Sequence, residues 1–268
     1  MMLRKAAVAV LVAAAAALAA GRGAGGDAAV VNGADAYGGY ADSVVTDRWG
    51  CVTGMPGGKY YLLFSADSMF EGAPYILHVL DSAGVKGNFF FTGNFLERPE
   101  NDSIVRRIIA AGHYVGSHSD RHLQLADWDA GRTPLVIADS LLRDLADSYR
   151  RLARFGITAD KAKYTLPPYE WCHNLHSAAY RNAGFIPVAP TPGIETYRDY
   201  TLPGMPEYRT ADFMLHQLLD RDLRTLDGAM ILIHPGTQDA RPDKLYHRLP
   251  AILTALRAAS LRASRLDR

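Results

Sequence analysis

The sequence predicts an α/β fold in which parallel strands close, or nearly close, into a barrel. Two observations carry that expectation. Short apolar runs alternate with longer stretches of helical period from about residue 59 to residue 259, and several of the runs are apolar at almost every position, as strands are when both faces are buried. No internal repeat is visible.

The elements follow in order. "KYYLLFSA" (59–66) reads as the first strand. Pro74 can open a helix, since its fixed φ suits the first turn, and Gly84 ends it. "GNFFFTG" (87–93) is the second strand; Asn101 or Asp102 caps a helix stopped by Gly112, and "HYVGSH" (113–118) is the third strand. A long helix runs through "LLRDLADSYRRLARF" to Gly156. "KYTLPP" (163–168) and "FIPVAP" (185–190) flank a helix over Asn174–Gly184. Thr210–Leu226, the strand "AMILIHP" (229–235) and a helix over Pro242–Ala259 complete the set.

The N-terminus sets the compartment. Arg4 and Lys5 precede an apolar run from Ala6 to Ala20, with small residues that a signal peptidase cuts, so residues 1–20 read as a secretory signal and the protein as secreted or periplasmic. The run is too short for a spanning helix, and no cysteine follows it, so no membrane anchor is expected after its removal. Loss of Arg4 and Lys5 leaves 27 basic against 28 acidic side chains, a balance with no electrostatic footprint for nucleic acid. Residues 21–48, rich in Gly, Ala and Asp, read as an irregular arm or linker, and 49–268 as the catalytic domain. Cys51 and Cys172 are the only cysteines; a disulfide and two separate thiols are equally open.

Chemistry concentrates in "HSDRH" (118–122). Residues four apart on one turn of helix share a face, so His118 and His122 can meet one metal ion if other ligands join them. A parallel barrel gathers functional groups at the carboxyl ends of its strands. Asp67 follows the first strand, His118 and His122 the third, Pro167, Pro168, Tyr169 and Glu170 the fourth, and His234 the sixth. Two imidazoles and a carboxylate make a three-ligand site with an open position, suited to a divalent ion such as zinc. Such an ion lowers the pKa of water towards about 7 and polarises a carbonyl, while His234 can serve as general acid: metal-assisted hydrolysis.

These residues resemble the polysaccharide deacetylases with the NodB homology domain, a carbohydrate esterase family whose fold is a distorted (β/α) barrel. HSDRH matches the family's His-Ser/Thr-x-x-His motif. "FSADS" (64–68) stands where the family has Thr-Phe-Asp-Asp-Gly, "LPPYE" (166–170) where it has Arg-x-Pro-Tyr, and "LIH" (232–234) where it has Leu-x-x-His, all in the same order. The resemblance implies one divalent ion, zinc by expectation, on Asp67, His118 and His122. It also implies His234 as general acid, the Tyr169 amide as oxyanion contact, and an acetylated polysaccharide or oligosaccharide as substrate.

Two departures qualify the resemblance. Ala66 replaces the family's general-base aspartate, and Leu166 replaces the arginine that orients it. Loss of either alone strands a buried charge; loss of both removes a pair. Two functions follow: an active deacetylase with a substitute base, Glu170 first and then Asp120 or Glu71, or a catalytically silent glycan-binding homologue. The tryptophan-bearing fourth motif is not evident, and "TPGIETYRDYT" (191–201) occupies its place. Trp171 and Tyr197, in loops at the expected mouth, are candidates for stacking on a sugar ring.

Overall fold

The computed structural model describes residues 29–31 and 44–268. The secretory signal read at 1–20 lies outside the described residues, as does most of the arm at 21–48.

Five parallel strands form the principal sheet. The first barrel strand, β4 (Lys59–Ala66), is central: β5 (Asn88–Phe91) pairs with one edge, followed by β6 (Tyr114–Ser117), while β9 (Met230–Leu232) and β10 (Arg262–Ala263) share the other edge. Phe64, Phe89, Phe90 and Phe91 have no solvent exposure, in keeping with strands covered on both faces. A shorter parallel pair, β7 (Tyr164–Thr165) and β8 (Ile186–Pro187), continues the curve. The barrel is distorted, because single hydrogen bonds replace ladders where this pair meets its neighbours. The Leu166 amide donates to the Ser117 carbonyl at 3.0 Å on one side, and the Thr191 amide to the Met230 carbonyl at 3.0 Å on the other.

Helices α1 (Ala73–Ser82), α2 (Gly93–Leu96), α3 (Asp102–Ala110), α4 (Ala138–Leu152), α5 (Asn174–Asn182), α6 (Ala211–Leu219) and α7 (Leu249–Ala258) fill the crossovers. Each predicted strand and helix is present: β4 has its predicted ends, α4 begins at Ala138, ahead of the predicted run, and the other elements are shorter than predicted by one to several residues. The region expected as one helix over 210–226 breaks after Leu219 and resumes as a single turn, Leu223–Leu226, capped by Asp222. Three short antiparallel strands were not anticipated: β1 (Ala29–Val31), β2 (Val44–Thr46) and β3 (Val52–Gly54). Two of them fall within the stretch whose composition suggests an arm. Strands of three residues carry too little alternation to register in a sequence.

The β6–β7 seam is pinned by one phenol. Tyr114 Oη donates to the Tyr164 carbonyl at 2.7 Å and accepts from the Tyr164 amide at 2.8 Å, so one buried side chain satisfies both backbone groups of a strand residue. Gly116 allows the approach, since a Cβ there would stand 2.6 Å from the Tyr164 carbonyl oxygen. The Tyr114→Phe variant is expected to lose about 1–3 kcal/mol of stability, because an unsatisfied buried backbone group costs that much. Urea denaturation would measure it; an unchanged midpoint would mean that water replaces the phenol at the seam.

Candidate functional site

Asp67 begins where β4 ends, Thr92 and Asn94 follow β5, His118 and His122 follow β6, Leu166–Glu170 follow β7, and His234 lies two residues beyond β9. Strands of parallel polarity therefore deliver all these residues to one end of the barrel.

The histidines meet, though not on a helix. Residues 118–122 form an irregular loop in which Ser119 (φ 74°) and His122 (φ 53°) are left-handed. Each such non-glycine residue costs about 1–3 kcal/mol and persists only under firm support. Asp144, a buried carboxylate on α4, supplies it: its Oδ2 accepts from the Asp120 amide at 2.8 Å and its Oδ1 from the Arg121 amide at 3.1 Å. Ser117 Oγ accepts from the Ser119 amide and Ser119 Oγ from the His122 amide. The first amides of α2, at Gly93 and Asn94, donate to the carbonyls of Ser119 and Asp120. The outcome is an Nε2–Nε2 separation of 3.2 Å.

His118 is 3% exposed, and its Nδ1 donates to the Leu166 carbonyl at 2.8 Å, which fixes the tautomer and leaves a lone pair on Nε2. Burial holds the pKa of His118 well below the ordinary imidazole value, and His122 depresses it further. Burial also lowers His122, against an opposing pull from the Asp67 carboxylate. Both rings are therefore neutral at physiological pH, the form in which imidazole donates a lone pair. The Asp67 Oδ1 accepts from Thr92 Oγ1 at 2.9 Å and from Asn94 Nδ2 at 3.0 Å. Among the described residues no three His, Cys, Asp or Glu side chains close on one metal-sized point; the histidine pair does so without Asp67.

The Pro-Pro-Tyr segment makes a single tight turn, Pro168–Glu170, with Tyr169 (φ 59°) and Glu170 (φ 51°) consecutively left-handed. Its internal bonds come from the amides of Glu170 and Trp171, to Pro167 and Pro168, so the turn does not consume the Tyr169 amide expected to face an oxyanion. The Tyr169 ring lies 4.3 Å from that of His122, centroid to centroid. Glu170 Oε1 stands 4.0 Å from His118 Nε2.

Trp171 departs from its expected role as a sugar platform. It is 3% exposed, with its indole nitrogen donating to the Asp127 carbonyl and the Arg132 guanidinium 3.6 Å from its ring centroid. Tyr197, at 6%, is buried as well. Trp128 is more accessible than either: half-buried, it meets the Tyr169 ring edge-on at 5.5 Å and rests on Trp171 at 5.7 Å.

Asp199 is the functional partner that sequence reasoning missed. It is 1% exposed, accepts from His234 Nδ1 at 2.6 Å and from the His234 amide at 2.8 Å, and so turns Nε2 towards the site. Burial would depress His234, but the charge and hydrogen bond of Asp199, with Glu170 adding, win and hold its pKa above the usual 6.5. The signal was present in the segment 191–201, at the place of the absent fourth motif, but nothing local marks one acid in "YRDY" as buried.

The three substitute bases part company here. Asp120 is tied to Arg151 at 2.6 Å, and a Cβ on Gly93 would meet Asp120 Oδ1, so this carboxylate is locked against α2. Glu71 accepts from the Thr237 amide at 3.0 Å and lies 3.4 Å from Lys244 Nζ, a link between two loops. Glu170 is the one of the three with an ion-pair approach to a site histidine, 4.0 Å from His118 Nε2, and its charge adds to the raised pKa of His234.

Comparison with known proteins agrees with this geometry. A polysaccharide deacetylase family model matches residues 55–187. A chitin deacetylase of Colletotrichum lindemuthianum is 32% identical over 111 residues, which are 40% of each chain, so the chain matches well under half the length of that curated relative. Among solved structures, a peptidoglycan N-acetylglucosamine deacetylase superposes with a TM-score of 0.64 at 24% identity, over 80% of this chain and 89% of that one. A family 4 carbohydrate esterase pseudoenzyme from Bacillus anthracis superposes with a TM-score of 0.62 at 19% identity, over 80% and 66%. Sequence motifs in order, a distorted (β/α) barrel, and the family match together place residues 55–187 in the polysaccharide deacetylase family.

Proposed function

We propose that the protein is a divalent-metal-dependent hydrolase that removes acetyl groups from a polysaccharide or amino sugar, with Glu170 as base where Ala66 stands in the family's place for an aspartate. The observation that carries this reading is the location of Glu170. Its Oε1 stands 4.0 Å from His118 Nε2 and its charge helps to raise the pKa of His234, whereas the ion pairs of Asp120 and Glu71 are with Arg151 and Lys244.

The histidine pair fits a metal. Two neutral imidazoles whose Nε2 atoms stand 3.2 Å apart repel unless a proton or a cation lies between them, and zinc–nitrogen bonds of about 2.0 Å span such an edge of a tetrahedron. Asp67 would be the third ligand through Oδ2, its Oδ1 being engaged by Thr92 and Asn94. When bound, the ion supplies Lewis acidity to the acetyl carbonyl and acidifies water. Glu170 takes the proton of the attacking water. The Tyr169 amide faces the oxygen that gains charge, and His234, protonated against Asp199, gives a proton to the departing amine or alcohol. Trp128 and Tyr169 offer aromatic faces to a sugar ring. The leader at 1–20 argues for action outside the cytoplasm, and no helix among the described residues is long and apolar enough to cross a membrane.

The silent, glycan-binding reading draws on one observation: Ala66 and Leu166 are both buried, at 4% and 0%, so the usual base and its arginine have been replaced by packing. Acetate release by zinc-loaded protein from acetylated chitin and peptidoglycan fragments separates the two. Activity is expected, and Glu170→Gln and His234→Ala should each lower it by about 10²-fold or more. Binding of a fragment with no acetate released from any would establish the silent reading.

The metal assignment has its own test, independent of turnover. Equilibrium dialysis should give one zinc per chain for the native protein and none for His118→Ala/His122→Ala; stoichiometric zinc in the double variant would overturn the site.

Asp199→Asn should shift the pH profile. His234 must be protonated to act as acid, so the rate falls as pH rises through its pKa. Asp199 raises that pKa, so removing its charge moves the alkaline limb to lower pH. An unmoved limb would assign the acid to another group.

A further inference from the structure

Cys51 and Cys172 lie 121 positions apart in the chain, yet their Sγ atoms are 3.1 Å apart, and the side chains are 1% and 0% exposed. Both are thiols in the structure. Closure to the length of about 2.05 Å that a disulfide requires needs movement of only about 1 Å. With two cysteines in the whole sequence, an intramolecular bond has no competing partner.

What the pair joins gives it meaning. Cys51 ends a small loop closed by Asp47, whose Oδ1 accepts from the Cys51 amide at 2.9 Å and whose own amide donates to the Cys51 carbonyl at 2.9 Å. That loop is fixed to α5: Ser177 Oγ donates to the Trp49 carbonyl, and Arg181 Nη1 to the Gly50 carbonyl at 2.7 Å. Cys172 follows the left-handed pair Tyr169 and Glu170 by two residues. Downstream of that turn its restraints are the Trp171 indole on Asp127, Arg132 Nη1 on the Cys172 carbonyl at 2.9 Å, and the contact with Cys51.

We propose that Cys51 and Cys172 are a disulfide-forming site, and that the bond clamps the Tyr169–Glu170 turn to the anchored segment before the first barrel strand. The thiolate of one cysteine attacks an external disulfide R–S–S–R and releases R–SH. The thiolate of the second attacks the resulting mixed disulfide at the protein sulfur and releases another R–SH. The two cysteine sulfurs together give up two electrons, and their protons end on the two R–SH molecules. The co-reactant is a small-molecule or protein disulfide. The hydrogen-bonding contact with Cys172 and then burial raise the Cys51 thiol well above its ordinary pKa, so exchange belongs to folding or to transient opening of the segment.

The clamp is independent of acetyl chemistry, and so is its test. The full chain is refolded in a buffer of oxidised and reduced glutathione, then denatured and alkylated. The expected result is a mass about 2 Da below that of the reduced chain, no alkylation, and one cross-linked peptide pair containing Cys51 and Cys172. Alkylation of both thiols after that refolding would overturn the site. Hydrogen exchange tests the clamp: the amides of residues 169–172 should exchange several-fold faster in the reduced wild-type chain, and unfolding on reduction counts as the same result. Equal exchange rates in both forms, with the bond shown to be present, would overturn the positioning role.

Discussion

The site depends on one hydrogen bond, from His118 Nδ1 to the carbonyl of Leu166. It sets the tautomer, aims the Nε2 lone pair, and ties the loop after β6 to the loop after β7. At that seam no strand ladder exists, and Tyr114 Oη and the Leu166 amide do the joining. The acceptor is a main-chain atom, so it is indifferent to the side chain at position 166. An arginine, which the family motif would put there, and the leucine of this chain would offer the same carbonyl to His118. This explains how the histidine geometry survives where the usual charged pair has gone. Removal of a buried carboxylate and a buried guanidinium together leaves no orphan charge, and well-packed apolar residues in place of a buried ion pair are often neutral or better for stability.

The cost of the arrangement appears in the backbone. Four non-glycine residues around the site are left-handed: Ser119, His122, Tyr169 and Glu170. Each needs external support, and each set of supports reaches a different part of the molecule. Asp144 holds the histidine loop from α4; two prolines, the Trp171–Asp127 bond, and the Arg132 and Cys51 contacts with Cys172 hold the second turn from the other side. Such dispersed support lets the reactive groups stand close together without sharing a single rigid element.

The strands were legible because they are buried on both faces: a run such as that of Phe89, Phe90 and Phe91 admits few other readings in an alternating pattern. The meeting of His118 and His122 was also legible from their spacing, but the structure achieves it by another route. A helical turn was expected, and left-handed loop geometry achieves the contact instead; no local rule derives two left-handed residues from "SHSDRH". Trp171 illustrates the same limit. Its loop position suggested exposure, yet Arg132 stacks on it and Trp128 takes the outer place. Asp199 was invisible because its significance lies wholly in His234, 35 residues away in the chain.

The electrostatics of the mouth are organised around His234. Asp199 holds it from behind, and Glu170 adds negative charge from the β7 side, whereas His118 and His122 are neutral through burial. An aspartate at position 66 would place a carboxylate on the last residue of β4. Glu170 instead brings its carboxylate from a turn after β7, at the end of a longer side chain. A base on a strand end inherits the rigidity of the sheet; a base on a strained turn is only as well placed as the contacts that hold the turn. With Ala66 in place of that aspartate, the proposed base at Glu170 would depend for its placement on the supports of residues 167–172, among them the packing around Trp171 and Cys172.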